Sequence, residues 1–107
     1  RKTVGPESVL MGNALNNVSL VLANQGKYEE ATEKCEESLA ILQGVLGKEH
    51  DEVALAWYSL ALCKENAGDP PGAIACLREA LRIYAKMGIS LGSVQSAAAI
   101  LLARLEG

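Results

Sequence analysis

Apolar residues recur at three- and four-residue intervals along most of the chain, which is the spacing of one face of an α-helix. Breaks near Gly26, Gly47, Gly68 and Gly88 interrupt these stripes. Glycine readily adopts the left-handed conformation that often follows a helix, so each break predicts a helix end. The pattern therefore predicts five helices, at about 6–23, 28–46, 51–66, 70–87 and 91–106.

The sequence also repeats itself. At a shift of 42 residues, the segment that begins at Gly5 aligns with the segment that begins at Gly47. Each unit contains one helix pair, and a third copy begins near Ala98. We therefore predict an all-α fold, a solenoid of antiparallel helix pairs within one domain. Its parts are repeat 1 (about 6–47), repeat 2 (about 48–89) and a truncated third repeat or capping helix (90–107). Identical pairs include Ala14/Ala56, Leu20/Leu62, Asn24/Asn66, Gly26/Gly68, Ala31/Ala73 and Leu39/Leu81.

Small residues occupy matched positions in the two units, where they allow neighbouring helices to approach closely. This arrangement resembles the tetratricopeptide repeat (TPR) family. The 42-residue period, together with the segments NNVSLVLANQGKYEEA (16–31) and LGKEHDEVA (46–54), is similar to the kinesin-light-chain subtype. Residues 1–5 resemble the end of a preceding second helix, so we expect the chain to be an excised or processed part of a longer protein. The matched small residues are Ser19, Gly26, Ala31 and Ser38 in unit one, and Ala61, Gly68, Ala73 and Ala80 in unit two.

Composition narrows the classes of partner. The net charge is −3, so the chain lacks the excess of positive charge that binding to a nucleic acid or an anionic membrane requires. No apolar run reaches the length of a membrane span, so we expect no membrane insertion by this fragment. Three cysteines without a Cys-x-x-Cys motif favour free, buried thiols in a reducing, cytoplasmic compartment.

The sequence gives no indication of catalysis, a metal site or a cofactor. His50, the only histidine, falls in the connector between the units, where we expect a polar contact with a helix end. The glutamates at 29, 30, 33, 36 and 37 predict a strongly acidic outer face on the second helix, which serves solubility or docks a basic partner. We therefore predict that the protein is not an enzyme.

The TPR resemblance implies that the first helix of each unit lines a concave surface that holds a helical or extended segment of another protein. The chain would then be a scaffold, an adaptor or a regulator. Asn16, Leu20, Ser59, Ala97 and Leu101 occupy the positions at which some TPRs grip a C-terminal carboxylate, and their side chains disfavour that mode. The implied partner-binding residues are Asn13, Asn16, Asn17, Leu20, Asn24, Leu55, Tyr58, Ser59, Leu62, Asn66, Ile100, Leu101 and Arg104.

The last helix is apolar on all sides over residues 97–103, although a helix that ends a solenoid normally has a polar outer face. A further helix, a bound partner or a second copy of the chain could cover it, and the last of these predicts a homodimer through residues 91–106. The overall arrangement is also similar to that of plant FLU-like regulators. That likeness implies, as an alternative, a membrane-tethered chloroplast protein that restrains tetrapyrrole synthesis by binding glutamyl-tRNA reductase.

Overall fold

A computed structural model describes residues 6–88 and 93–106, and these residues form five helices and no strands. The predicted fold class and helix positions are confirmed, and within the described residues the boundaries agree to within one residue. The interpretation of residues 1–5 and the predicted start of the last helix at Leu91 lie outside the described residues. The helices are α1 (Pro6–Asn24), α2 (Tyr28–Leu46), α3 (Asp51–Asn66), α4 (Pro70–Met87) and α5 (Ser93–Glu106).

The turns inside the two helix pairs have the same construction. Gly26 and Gly68 have φ angles of 82° and 88°, in the left-handed region that side chains other than glycine rarely adopt. After Gly26, the Lys27 N–H donates to the Leu22 carbonyl over 2.9 Å, and in the second pair the Asp69 N–H donates to the Lys64 carbonyl over 2.8 Å. Because each bond joins residues that correspond at a shift of 42, the sequence repeat is also a repeat of turn geometry.

Two helices begin on side-chain caps. The Asp69 carboxylate accepts the backbone N–H of Gly72 over 3.1 Å, and Pro70 follows it at the first helical position, where a missing N–H has little cost. The Nδ1 atom of His50 accepts the backbone N–H of Glu52 over 3.1 Å. His50 therefore contacts a helix end, as the sequence predicts. Lys27, the counterpart of Asp69, makes no such side-chain bond to α2.

The helices pack as pairs that stack on one another. α1 packs on α2 and α3 on α4, while α2 contacts α3 and α4 contacts α5 across the repeat boundaries. Further contacts join α1 to α3 and α3 to α5, so the first helices of the repeats lie side by side along one face. The core consists largely of small residues and leucines, and its fully buried members include Ala31, Cys35, Val53, Ala54, Ala61, Ala73, Leu77 and Ala80.

Only some of the apolar residues of α1 face this core. Leu10 is 68% exposed, and Met11 and Val18 are exposed as well. The α3 residues that correspond to Met11 and Val18 are Val53 and Leu60, and both are buried. In α3 this face is covered by α2, whereas among the described residues α1 has no helix on its matching side.

We predict opposite effects for two glycine substitutions. A side chain at Gly12, in α1, would bring its Cβ to 2.8 Å from the Cγ atom of the buried Leu42, whereas Gly44 has no neighbouring atom within 4 Å of that position. Gly12→Val should lower the free energy of unfolding by about 1–3 kcal/mol through overpacking. Gly44→Ala, the matched control in α2, should raise it by about 0.5–1 kcal/mol by favouring the helix. Urea unfolding followed by circular dichroism measures both, and equal effects would contradict the close approach of α1 and α2.

A second pair of substitutions tests the helix caps. Asp69→Ala should destabilise the protein by about 1 kcal/mol, because it removes the bond to the Gly72 N–H. Lys27 has a backbone ψ of 67°, close to the 70° of Asp69, so an aspartate there can cap α2. We expect Lys27→Asp to stabilise the protein by about 0.5 kcal/mol, since the neighbouring Glu29 and Glu30 oppose part of the gain. Thermal unfolding compares the two variants, and destabilisation by Lys27→Asp would contradict this account.

Candidate functional site

The structure gathers several of the predicted binding residues around one groove between α1 and α3. Asn13, Asn16 and Asn17 form its α1 wall, and Leu55 forms part of its α3 wall. The groove encloses about 500 Å3 and also borders on Asp51, Glu52 and Tyr84. It lies where the first helices of the two repeats run side by side, which is the surface that the TPR resemblance implies.

Helical periodicity explains why the α1 side chains share this wall. Positions 13, 16, 17 and 20 lie on one side of a helix that turns every 3.6 residues. The same periodicity turns Gly12 and Ser19 toward the core, where both are buried. Asn17 and Leu20 are exposed, while Asn13 and Asn16 are half-buried. The amide groups of this wall are therefore accessible to a ligand.

The apolar residues of α3 divide into surface and core. Leu55 is exposed, and Tyr58 and Leu62 are half-buried against the hydrophobic core. Ser59 is buried, and Leu101 on α5 is only 7% exposed. Ser59 and Leu101 are therefore part of the packed interior of the described residues. Their role in partner binding stays a prediction, and it would require these buried side chains to become accessible.

The α5 end of the concave face differs from the α1 end. Ile100 is 70% exposed, and the exposed Arg104 donates a hydrogen bond to the Glu65 carboxylate of α3 over 2.8 Å. That bond joins α5 to α3 and partly neutralises the guanidinium. The side chain of Ala97 lies outside the described residues.

Asn24 and Asn66 are exposed but lie apart from the groove, since they are the last residues of α1 and α3. Asn66 borders a separate depression of about 380 Å3 beside the turn from Gly26 to Glu30. The structure therefore does not gather the predicted residues in one place: some line the central groove, Asn66 borders this turn, others lie at the α5 end, and several pack in or against the core.

Three groove residues were missed by the sequence analysis. Asp51 and Glu52 open α3, and Tyr84 reaches the groove from α4. Burial, and to a smaller extent the charge of Asp51, raises the pKa of the Tyr84 hydroxyl. The two carboxylates give this end of the groove a negative potential. Positions 51 and 52 lie one turn before Leu55, so extending the concave stripe by one turn would have identified both.

The acidic outer face of α2 is present. Glu29, Glu30 and Glu33 are exposed, as are Glu36 and Glu37. Cations accompany part of the face, because the Lys34 ammonium lies 3.6 Å from Glu37 and that of Lys64 lies 4.0 Å from Glu36. Such exposed pairs contribute little stability. The face is a solvated surface whose charge is partly compensated.

A second depression is almost entirely apolar. Met11 and Leu15 of α1 border it together with Ala40, Ile41 and Glu37 of α2, and it encloses about 550 Å3. It lies on the α1 side that has no helix packed on it among the described residues. Sequence periodicity found the α1 stripe but could not show that part of it faces outward.

The described residues also bear on metal binding, membrane insertion and the state of the cysteines. Residues 6–88 and 93–106 contain no group of three or more His, Cys, Asp or Glu side chains placed to hold a metal ion. In the helices that the structure describes, no stretch is both long and apolar enough to cross a membrane. All three cysteines are buried and free.

Comparison with known protein families agrees with the fold. The tetratricopeptide repeat profile matches residues 10–86, which span both complete helix pairs from α1 to the last turn of α4. A comparison with curated proteins gives no match. The two matched turns, the helix pairing and the profile lead to one conclusion: the chain belongs to the tetratricopeptide repeat family, whose members generally mediate protein–protein interaction.

Proposed function

We propose that the groove between α1 and α3 binds a segment of a partner protein that carries an apolar side chain next to a lysine or arginine. The observation that carries this proposal is the position of Asp51, Glu52 and Leu55 opposite the asparagines of α1 in a single groove. The protein would act as a non-catalytic scaffold, adaptor or regulator. Each class of groove residue supports one feature of the ligand.

The asparagines support recognition of a peptide backbone. An amide side chain offers both a donor and an acceptor, so Asn13, Asn16 and Asn17 can bond to the N–H and C=O groups of an extended segment or of a helix end. These contacts are independent of the ligand's side chains. They give affinity and orientation, while specificity must come from the opposite wall.

That opposite wall combines an apolar surface with negative charge. Leu55 is exposed, and Leu20 of α1 adds apolar area further along the concave face. Burying one such side chain fully contributes about 1.5–3 kcal/mol. The carboxylates of Asp51 and Glu52 favour a cation, and among the described residues that line the groove there is no Lys or Arg to neutralise them. His50 lies 2.9 Å from the Asp51 carboxylate and adds positive charge there only when it is protonated.

Selection from a displayed library of random peptides tests this function. We expect the selected peptides to pair Lys or Arg with a Leu-, Ile- or Phe-type residue, and Leu55→Glu should weaken binding of a selected peptide at least about tenfold. Asp51→Asn with Glu52→Gln should reduce both the basic preference and the salt dependence of the affinity. Fluorescence anisotropy of the labelled peptide gives these affinities.

Two variants control for general effects of charge. Val18→Glu adds the same charge on another exposed side of α1, and Glu33→Gln removes one carboxylate from the outer face of α2. Both should leave peptide affinity within about twofold. Peptides without a basic preference, or binding that survives Leu55→Glu, would contradict the proposal. The more specific identities remain predictions: a kinesin-light-chain-like cargo adaptor, and the FLU-like alternative, which additionally requires the fragment to bind purified glutamyl-tRNA reductase.

Self-association through α5 is a second candidate. Ala99, Ile100 and Ala103 are exposed, and their spacing places them on one side of the helix. A large apolar side chain flanked by two alanines allows an identical helix to approach closely in a two-fold arrangement. This apolar strip is the observation that favours a homodimer through residues 91–106.

Light scattering over a range of concentrations tests the dimer. The wild-type mass should rise from one chain toward two as concentration increases, and Ile100→Asp should keep the protein monomeric without loss of helicity. Val18→Asp is the matched control on the exposed side of α1 and should dimerise like the wild type. A strictly monomeric wild type would eliminate this candidate, and a monomeric Val18→Asp variant would move the interface to α1.

A further inference from the structure

Two thiols from successive repeats lie against each other in the core. The Sγ atoms of Cys35, on α2, and Cys63, on α3, are 3.4 Å apart, and both side chains are fully buried. Their helices pack across the boundary between the repeats. The contact therefore joins parts of the chain that are 28 residues apart in sequence.

A chain of two hydrogen bonds leads from Cys35 through Ser19 to Asn16. The Cys35 thiol donates to the Ser19 hydroxyl over 3.0 Å, and the Ser19 hydroxyl donates to the Asn16 carbonyl over 2.6 Å. The Cys35 sulfur then has lone pairs available to accept the Cys63 thiol proton. When Cys35 ionises, Ser19 can turn its proton toward the sulfur. The network thus distinguishes the two cysteines and favours Cys35 as the nucleophile.

The pKa shifts of the two thiols also favour Cys35 as the nucleophile. The hydrogen bond from Cys63 lowers the pKa of Cys35; burial opposes this effect, and the contact with Ser19 adds to it. The pKa of Cys63 is raised, first by its bond to Cys35 and then by burial. Cys76 is a useful comparison, because burial raises its pKa to about 11.

We propose that Cys35 and Cys63 are an oxidation site at which a hydroperoxide converts two thiols into an intramolecular disulfide between α2 and α3. A disulfide has a sulfur–sulfur bond of about 2.05 Å, so the two sulfur atoms need to approach by only about 1.4 Å from their separation of 3.4 Å. The two sulfur atoms lie beneath the groove wall at Asn16, and the proposed reaction does not rest on the proposed function.

The reaction takes place in two balanced steps. The Cys35 sulfur attacks one peroxide oxygen; a sulfur–oxygen bond forms, the oxygen–oxygen bond breaks, and the thiol proton goes to the leaving oxygen, which departs as an alcohol or water. The Cys63 sulfur then attacks the resulting sulfenic acid of Cys35. A sulfur–sulfur bond forms, the sulfur–oxygen bond breaks, and hydroxide leaves as water with the Cys63 proton. The two thiols together lose two electrons, which reduce the hydroperoxide.

Asn16 is the groove residue that lies next to the thiols. Asn16 is half-buried on the groove wall, and its side-chain oxygen lies 4.0 Å from the Cys35 sulfur. A change of the Asn16 rotamer would open a path for a molecule as small as hydrogen peroxide. Ser19, fully buried beneath it, marks the inner end of that path.

The experiment uses the full chain with Cys76→Ala, which leaves the two thiols of the site. Hydrogen peroxide is added, quenched with catalase, and followed by alkylation in denaturant and intact mass spectrometry. We expect the mass to fall by two hydrogens, alkylation to be blocked and dithiothreitol to restore two alkylated cysteines. The oxidised chain should melt at least about 5 °C higher than the reduced chain, because the cross-link restricts the unfolded state.

Single substitutions provide the controls. Cys35→Ala and Cys63→Ala, each confirmed as helical by circular dichroism, should show neither the mass loss nor the rise in melting temperature. An unchanged mass after peroxide, oxygen added to either cysteine as the main product, a disulfide between two chains, or an oxidised chain that melts lower than the reduced one would each overturn the proposal. The melting temperature separates a bond compatible with the fold from one formed in the unfolded chain.

Discussion

The close approach of neighbouring helices is the constraint on which the rest of the structure depends. Ala31, Ala54 and Ala73 are fully buried where helices meet, and Gly12 allows Leu42 to lie directly against the α1 backbone. In a chain with no phenylalanine, one tryptophan and three tyrosines, large aromatic side chains supply only a small part of the core volume. Backbones packed closely over small residues fill the interior instead. Such an interior has little free volume, so even one added atom disturbs the packing.

The same close packing positions both functional features. Two buried serines stand where the second repeat has alanine, and each donates its hydroxyl to a carbonyl: Ser38 to Gly12 over 2.6 Å, and Ser19 to Asn16 over 2.6 Å. Both bonds satisfy a buried hydroxyl, and the Ser38 bond, which joins α2 to α1, helps to hold these two helices in register. The register in turn directs the α1 asparagines into the groove. A looser pairing would leave the groove wall without a defined orientation.

Local features of the sequence were sufficient to predict the helices. Gly26 and Gly68 end the first helices of the two pairs, and Asp69 followed by Pro70 begins α4, because turn and cap geometry depends on a few adjacent residues. The 42-residue shift then related the two pairs. The pattern also predicted that Asn13, Asn16 and Asn17 share one face of α1, and they line one groove, since a single helix determines their relative directions.

Features that depend on contacts between distant helices could not be predicted in the same way. Ser59 and Leu101 have the spacing of the predicted concave face, but packing against other helices buries them. Val18 and Leu60 are equivalent in sequence, yet Val18 is exposed and Leu60 is buried, since a helix covers only the second. The contact of Tyr84 with the groove depends on the crossing of α4 and α3. The exposure of a side chain depends on which helices pack against it, so the periodicity within one helix does not determine it.

Asn16 is shared by the groove and the hydrogen-bond network of the thiol pair, so it connects the proposed binding surface with the core. Asn16 lies on the groove wall, its carbonyl accepts the Ser19 hydroxyl, and its side-chain oxygen lies 4.0 Å from the Cys35 sulfur. Oxidation of Cys35 removes the thiol proton that Ser19 accepts, so Ser19 is left with one partner in place of two. The hydrogen-bond network beneath Asn16 must then rearrange, while the disulfide fixes α2 to α3. Because α3 carries Asp51 and Leu55 and α1 is held to α2, fixing that one contact also fixes the relation of the two groove walls.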